Sequence, residues 1–321
     1  MTSTPKLEHM HDQMRVELNI TELCNLTCDF CPRAHGYPNR NLHMSFEILD
    51  EFLNAHAEFV STYKVSPSIL LIGRGEPTLH GEFEQFIERI HSYTQATKKT
   101  FGLETGTLIQ TNGYKLDEWL PRVGDMIKYI IVNCYSNKTY TEYLELKERF
   151  TGTKHVAVQD RGATGKNEME DEVRVSPGGE VTPVKYNNRS GSLPEGIIPL
   201  VNIEDAYNQP CHKVFDTFYL DWDGEWRICC NDWGTPPESF GESFGNIKDT
   251  SLIEHMMTNP KYNEYRWRLV HGDRSLNPCN KCNAVIPERV RESVENSMQL
   301  MIDNPPAWIP DHMPKKMKKH W

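Results

Sequence analysis

Three cysteines lie close together near the start of the chain, at Cys24, Cys28 and Cys31. They follow residues 16–20, whose pattern predicts a β-strand. Zinc sites usually pair C-x2-C or C-x4-C with a second pair or with histidines elsewhere, so the C-x3-C-x2-C spacing favours an iron–sulfur cluster over a structural metal site. Ferredoxin-type cubanes use four cysteines. Three thiolates would therefore leave one iron of a [4Fe–4S] cubane open to a ligand that is not protein.

This motif resembles that of the radical S-adenosylmethionine (radical SAM) enzymes. Phe30, directly before the third cysteine, also fits the family pattern. The resemblance implies that the open iron binds the amine and carboxylate of S-adenosylmethionine (SAM). It further implies that one electron from the cluster cleaves the sulfonium to give methionine and a 5′-deoxyadenosyl radical.

Composition limits the partners and the compartment. The chain has 321 residues and a formal net charge of −10, which argues against nonspecific nucleic-acid binding. We find no apolar run long enough to span a bilayer and no signal-peptide core in residues 1–14. The nine cysteines are odd in number and clustered, which indicates metal binding in a reducing cytoplasm rather than disulfides.

Strands alternate with helices along the first half of the chain, which predicts an α/β fold with a parallel sheet. Ser45 is a candidate N-cap for the first helix, and further helices are expected at 82–92 and 141–150. The predicted strands are 16–20, 68–72, 107–110, 127–132 and 155–158, with a sixth at 172–176 or 181–185. Six such units match the partial (β/α)6 TIM-like barrel of the family that the motif resembles.

A second motif follows the second strand. Gly73, Gly75, Glu76 and Pro77 match the Gly-Gly-Glu-Pro motif of the family, with Arg74 at the second position. Either Gly73 or the Arg74–Gly75 pair carries the match. The resemblance implies that this backbone meets the methionyl amine of SAM, and glycine permits such close approach. A simple turn is the alternative.

Further candidate site residues lie at the ends of later strands, where barrel enzymes place their working groups. The resemblance implies ribose and carboxylate contacts for Thr111, Asn112 and Asn133, although Asn112-Gly113 is also a turn signal. Cys134 is either a buried thiol or a thiol that quenches a substrate radical, as in radical SAM epimerases.

Five cysteines fall in the C-terminal part of the chain. Four of them, Cys211, Cys229, Cys279 and Cys282, would form a closed site for a second [4Fe–4S] cluster or for zinc. Asp223-Gly224 predicts a hairpin that brings Cys211 and Cys229 together. The Cys-x12-Gly-x4-Cys element and the later Cys-x2-Cys resemble the SPASM/Twitch extension of radical SAM enzymes. Full SPASM domains have seven cysteines, so five imply one auxiliary cluster.

Cys229 and Cys230 compete for one ligand position. The Gly-x4-Cys spacing favours Cys229 as the ligand. Cys230 would then point the other way if the segment is a strand. It is either a buried thiol or a hydrogen-atom donor near the substrate.

These features predict five segments: a leader at 1–14, the barrel at 15–185, a linker at 186–210, the auxiliary-cluster domain at 211–290 and a tail at 291–321. The resemblance implies a radical SAM oxidoreductase or epimerase that acts on a sugar- or aminocyclitol-like small molecule. Modification of a ribosomally made peptide is the first alternative, and a non-catalytic electron carrier or zinc scaffold is the second. A flavodoxin- or ferredoxin-type protein is the expected electron donor.

Overall fold

The computed structural model describes residues 14–135, 138–153, 155–161, 172–175, 181–184, 187–194, 209–234 and 241–286, with five single positions between 292 and 299. The predicted leader, except Met14, and the tail beyond 300 lie outside the described residues, as does most of the predicted linker.

The main sheet is open and has seven strands, of which six run parallel. Nine strands are described in all: β1 (Arg15–Leu18), β2 (Ser68–Leu71), β3 (Thr107–Thr111), β4 (Tyr129–Tyr135), β5 (Val156–Arg161), β6 (Glu172–Val175), β7 (Val181–Val184), β8 (Thr217–Leu220) and β9 (Trp226–Arg227). The sheet order is β5-β4-β3-β2-β1-β8-β9, and β9 pairs antiparallel with β8. The predicted α/β class and open, barrel-like sheet are confirmed.

Helices connect the strands as the alternation predicts. The described helices are α1 (Phe46–Tyr63), α2 (Phe83–Phe101), α3 (Leu116–Val123), α4 (Tyr140–Arg149), α5 (Lys213–Asp216) and α6 (Pro260–Val270), with a π-helical turn at Glu254–Thr258. The side chain of Ser45 accepts a hydrogen bond from the Ile48 N–H, so Ser45 is the N-cap of α1, as predicted.

The two faces of the sheet have different environments. Val16, Leu18, Phe218 and Leu220 pack in the main apolar core with the helices. Side chains alternate along a strand, so the residues between them project to the opposite, inner face of the curved sheet. That inner face carries the polar groups considered below.

The prediction of the sixth parallel strand at 172–176 or 181–185 is wrong. These segments form β6 and β7, which pair antiparallel with each other in a separate two-stranded sheet of the described chain. The sixth parallel strand is β8, which lies beside β1 in register with it. Because β8 and β9 form the hairpin predicted around Asp223-Gly224, one hairpin strand of the C-terminal extension completes the parallel sheet.

Candidate active site

The cysteine loop and the glycine–glutamate turn are in direct contact. The Glu76 N–H donates to the Leu23 carbonyl at 2.8 Å, one residue before Cys24. A Cβ atom on Gly75 would lie 2.1 Å from the Thr21 carbonyl oxygen, and one on Gly73 would lie 2.1 Å from Asn19 Oδ1. Only glycine allows this approach, so both glycines of the motif are explained by packing against the end of β1.

The three N-terminal cysteines share one compact loop. The Cys31 N–H donates to the Cys28 carbonyl at 2.8 Å, and the Ala34 N–H donates to the Cys31 carbonyl at 3.0 Å. Burial raises the pKa of the Cys24 thiol to about 11, and burial together with the charges of Cys31 and Cys24 raises the pKa of Cys28. The thiols therefore influence one another, and binding of a metal cluster must displace their protons.

Glu76 joins the glycine turn to the end of β3. Its Oε1 accepts from the Thr111 hydroxyl at 2.6 Å, and its Oε2 accepts from the Asn112 N–H at 2.6 Å. Burial raises the pKa of this carboxyl, although these donors oppose the shift. Pro77 begins the short 3₁₀ turn Pro77–Leu79 that Glu76 caps. The predicted Glu76, Thr111 and Asn112 therefore form one connected group.

The remaining predicted SAM-site residues lie around this group. Asn112 Nδ2 donates to Asn25 Oδ1 in the cysteine loop at 2.8 Å. The Phe30 ring packs against Tyr135 at the end of β4, with ring centroids 5.5 Å apart. Asn133 is fully buried between Val132 and Cys134, and its Oδ1 accepts from Arg161 Nε at 3.1 Å.

Cys134 lies on the helix-facing side of β4. It shares a small apolar cluster with Tyr143 of α4, and Leu146 and Val158 pack against it. Val132, two residues earlier on the same face, belongs to the main core. This placement corresponds to the buried-thiol interpretation and gives Cys134 no access to the inner face.

The four cysteines of the C-terminal extension influence one another electrostatically. Burial is the largest cause that raises the pKa of Cys211, of Cys229 and of Cys279, and the charge of Cys282 adds to it in all three. The Ala284 N–H lies 3.4 Å from the Cys282 sulfur. The structure thus brings together the four residues that the sequence predicts as ligands.

Cys230 has other neighbours besides this group, although its charge, after burial, also raises the pKa of Cys229. The Lys213 ammonium lies 3.9 Å from its sulfur, and Glu17 of β1 lies beside it. Burial raises the pKa of Cys230 to about 11. Because Glu17 lies between Val16 and Leu18, which belong to the core, Cys230 contacts the inner face of the sheet.

Sequence reasoning missed several residues that hold these loops. Arg274 is buried and donates to the Gln209 carbonyl at 3.0 Å and to the Cys282 carbonyl at 3.2 Å. It thereby ties the segment before Cys211 to the Cys-x2-Cys turn. No local sequence signal identifies Arg274, whereas Glu17 could have been found as a polar residue within an otherwise apolar strand.

Within the described ranges, no three His, Cys, Asp or Glu side chains converge closely enough to hold a single metal ion. A [4Fe–4S] cubane distributes its thiolates over different irons. The N-terminal loop offers three mutually interacting cysteines, and the extension offers four. Number and type of donor therefore fit an open cubane at the first site and a closed one at the second.

Over the described part of the chain, no helix combines the length and the apolar character that crossing a membrane requires.

Two family models match the chain. Residues 18–149 match the radical SAM superfamily, and residues 211–283 match SPASM, an iron–sulfur cluster-binding domain. No curated protein sequence matches significantly.

Solved structures support the fold. BtrN in complex with AdoMet and 2-DOIA is 18% identical, with a TM-score of 0.63, over 84% of this chain and 93% of BtrN. BtrN in an open conformation is 16% identical, with a TM-score of 0.54, over 86% of this chain and 97% of BtrN. Streptococcus suis SuiB bound to precursor peptide SuiA is 13% identical over 80% of this chain and 68% of SuiB, and its TM-score of 0.44 supports no argument.

The two BtrN matches establish the shared fold alone, because their identities are low. The family models add the cofactors of the family, which are SAM, a [4Fe–4S] cluster and auxiliary iron–sulfur binding. Together with the cysteine loops described above, they show that this chain belongs to the radical SAM superfamily and carries a C-terminal SPASM-type domain.

Proposed function

We propose that this enzyme removes a hydrogen atom from a sugar- or aminocyclitol-like small molecule and oxidises it, with epimerisation as the second candidate reaction. The observation that carries the substrate class is a set of buried polar atoms on the inner face of the sheet that lack a hydrogen-bond partner in the part of the chain that the structure describes. Such atoms are costly unless a ligand or water completes their hydrogen bonds.

Two of these atoms lie side by side. Glu17 of β1 and Tyr219 of β8 are register partners on adjacent strands. Among the described residues, Glu17 Oε2 and the Tyr219 hydroxyl are buried and lack a hydrogen-bond partner, although the Glu17 carboxyl group is also in hydrogen-bonding contact with Cys230. A carboxylate oxygen accepts hydrogen bonds, and a phenol both donates and accepts them. Neighbouring hydroxyl or amine groups of a polyol match this pair.

A third atom lies across the sheet on β4. Asn133 Nδ2 is buried and has no hydrogen-bond partner within the described ranges, while its Oδ1 accepts from Arg161. This arrangement leaves an amide donor for a substrate or cofactor oxygen. Because Asn133 is also a predicted SAM contact, the substrate class rests on Glu17 and Tyr219, whose polar groups favour a molecule with hydroxyl or amine groups over an apolar one.

When bound, the first cluster supplies the electron that cleaves SAM to a 5′-deoxyadenosyl radical, and the auxiliary cluster supplies an electron acceptor. The protein residues hold the components in place. Cys24, Cys28 and Cys31 would bind the first cluster, and Cys211, Cys229, Cys279 and Cys282 would bind the auxiliary one. The turn at Gly73, Gly75, Glu76 and Pro77, with Phe30, Thr111, Asn112 and Asn133, would surround SAM.

Epimerisation would require a hydrogen donor for the substrate carbon. Cys230 contacts the inner face through Glu17, whereas Cys134 packs against α4. We therefore assign the candidate donor role to Cys230 alone, while the neighbouring Cys229 would hold the auxiliary cluster. Oxidation would thus depend on Cys229, with one electron of the substrate radical passing to the auxiliary cluster and one proton being lost. Epimerisation would depend on Cys230, whose thiyl radical would return to the thiol by taking an electron from the reductant and a proton from solvent.

The test uses anaerobically reconstituted enzyme reduced with dithionite, which replaces the predicted flavodoxin- or ferredoxin-type donor. Each member of a panel of amino sugars, inositols, aminocyclitols and short peptides is incubated with the enzyme and SAM, and 5′-deoxyadenosine is measured. We expect a polyol to stimulate its formation, and a Cys28→Ala variant to form none. Stimulation by peptides alone would overturn the proposed substrate class, and absence of SAM cleavage by the wild type would overturn the enzymatic function.

The type of reaction is then determined from deuterium incorporation when the reaction is run in D2O. Oxidation takes up no hydrogen at the reacting carbon, whereas epimerisation incorporates deuterium there. An oxidised product without incorporated deuterium supports the first candidate. Deuterium in a product of unchanged oxidation state supports the second.

A further inference from the structure

Arg74 lies between Gly73 and Gly75 in the glycine–glutamate turn, at the position that interrupts the match to the Gly-Gly-Glu-Pro motif. Its side chain is buried and its guanidinium reaches three segments. Nε donates to Glu22 Oε1 at 2.7 Å, Nη2 donates to Asp221 Oδ2, and Nη1 donates to the Asp232 carbonyl at 3.3 Å. One side chain therefore joins the end of β1, the end of β8 and the loop after β9.

These contacts connect the two cysteine loops. Glu22 lies two residues before Cys24, and Leu23 between them accepts the Glu76 N–H. The Asp232 N–H donates to the Cys229 carbonyl at 3.1 Å. A chain of hydrogen bonds thus runs from the first cysteine loop through Arg74 to the auxiliary one.

The charges around Arg74 are matched. Arg33, two residues after Cys31, donates to the Arg74 carbonyl at 3.1 Å and pairs with Glu22 at 3.4 Å. Asp221 also pairs with Arg227 at 3.2 Å and accepts from Asn19 Nδ2 at 2.8 Å. Removal of one member leaves a buried charge without its partner, so the network depends on all of its members.

The backbone of the turn is fixed by the same groups. The Arg74 N–H donates to Asn19 Oδ1 at 3.0 Å, and Asn19 also binds Asp221. Arg74 is therefore held at its backbone N–H, its carbonyl and its guanidinium. Gly73 and Gly75, whose backbone is expected to meet SAM, flank it directly.

We infer that Arg74 is a positioning residue that fixes the SAM-binding turn to the C-terminal extension through Asp221. SAM binding then depends on an aspartate of the extension and on the arginine between the two glycines of the turn. The inference rests on the assignment of the turn to SAM and not on the proposed substrate.

The test compares Asp221→Asn, Arg74→Lys and Arg74→Gly with an Arg89→Lys control in the exposed Arg89–Asp50 pair. SAM affinity is measured by equilibrium dialysis, and the first cluster is followed by the change that SAM causes in its electron paramagnetic resonance spectrum. Thermal unfolding and iron content show which variants remain folded and loaded. None of these readouts needs the substrate.

We expect folded, iron-loaded Asp221→Asn and Arg74→Lys to bind SAM on the order of 10 to 100 times more weakly, since small misplacements of positioning groups have effects of this size. We also expect a weaker spectral response to SAM, and an unchanged control. Wild-type SAM affinity and spectrum in folded Asp221→Asn would overturn the inference, because a purely structural role lowers only the unfolding temperature. If Arg74→Gly does not fold, SAM binding by Asp221→Asn and Arg74→Lys still tests whether Arg74 positions the turn.

A Gly75→Ala variant that folds, keeps the iron of the first site and loses SAM binding supports separately the assignment of the turn to SAM. If that variant folds and binds SAM normally, the assignment of the turn fails, and the inference about Arg74 fails with it. The substrate proposal is tested by the polyol panel and is unaffected by either result.

Discussion

The side chain of Asn39 brackets the backbone of Cys24. Its Oδ1 accepts from the Cys24 N–H at 2.9 Å, and its Nδ2 donates to the Cys24 carbonyl at 2.8 Å. Arg33 Nη1 donates to the same Oδ1 at 3.2 Å. The backbone of the first cysteine is therefore held in place by side chains that do not themselves bind the cluster.

Replacement of Asn39 should weaken retention of the first cluster. Asn39→Ala removes both bonds to Cys24, whereas Asn39→Asp keeps the acceptor and loses the donor. Supporting groups of this kind typically change metal affinity by about 10- to 100-fold. Iron bound at the first site, measured during titration with a chelator, should fall in the order wild type, Asn39→Asp, Asn39→Ala. Equal retention of iron by all three proteins would show that the hydrogen bonds between Asn39 and the Cys24 backbone do not stabilise the first cluster.

Gly75→Ala should disrupt the contact between the glycine turn and the cysteine loop. The added Cβ would lie 2.1 Å from the Thr21 carbonyl and 2.8 Å from the Leu23 carbonyl, and backbone atoms cannot move aside cheaply. We expect a loss of roughly 1–3 kcal/mol in the free energy of unfolding, together with weaker SAM binding. Gly81→Ala is the matched control, because a Cβ there meets no atom within 4 Å. Similar unfolding curves for the two variants would contradict the close contact between turn and loop.

Replacement of Cys229 and replacement of Cys230 should have different effects on the iron content of the chain. Besides burial, the charges of Cys230, Cys282 and Cys211 raise the pKa of Cys229, whereas Cys230 lies beside Lys213 and Glu17. Two cubanes give about eight irons per chain. Cys229→Ser should lose about four of them, and Cys230→Ser should keep them all. The opposite pattern would reverse the ligand assignment, and zinc in place of the second set of irons would support a structural metal site.

Local patterns were sufficient to predict the parallel strands β1 to β5 and the cysteine groups. Each of these signals is contained within a short segment: an apolar run, a Cys-x3-Cys-x2-Cys spacing or a Gly-x-Gly-Glu-Pro turn. The predicted hairpin around Gly224 was also local, and β8 and β9 confirm it.

Long-range pairing was not predictable in the same way. The segment of β8 reads as a strand, but nothing in it shows that it pairs with β1 in place of the strands at 172–185. Arg74 was visible only as a departure from a family motif, and its partner Asp221 lies 147 positions away in sequence. The orientation of a side chain on a strand can be predicted in part. Strand alternation alone would have placed Cys134 on the core-facing side of β4, together with Val132.

The buried imidazole of His56 should make the stability of the chain depend on pH. His56 is fully buried in α1, where Nε2 lies 2.9 Å from the Pro67 carbonyl and Nδ1 lies 2.6 Å from the Tyr93 hydroxyl. The carbonyl only accepts, so Nε2 carries the proton and Nδ1 accepts from the tyrosine. Burial lowers the pKa of His56 from its ordinary value of 6.5 to about 4.

Below pH 6.5 the unfolded chain binds a proton at His56 that the folded chain does not bind until the pH nears 4, so folding becomes less favourable as the pH falls through this window. Between pH 7 and pH 5 this single group should lower the free energy of unfolding by roughly 2 kcal/mol. Urea unfolding of the cluster-free chain at both pH values measures the loss. His56→Gln should be less stable than wild type at pH 7, since Gln reproduces the two bonds imperfectly, but its loss between pH 7 and pH 5 should be smaller by about the same 2 kcal/mol. Equal losses in the two proteins would mean that His56 is readily protonated in the folded state.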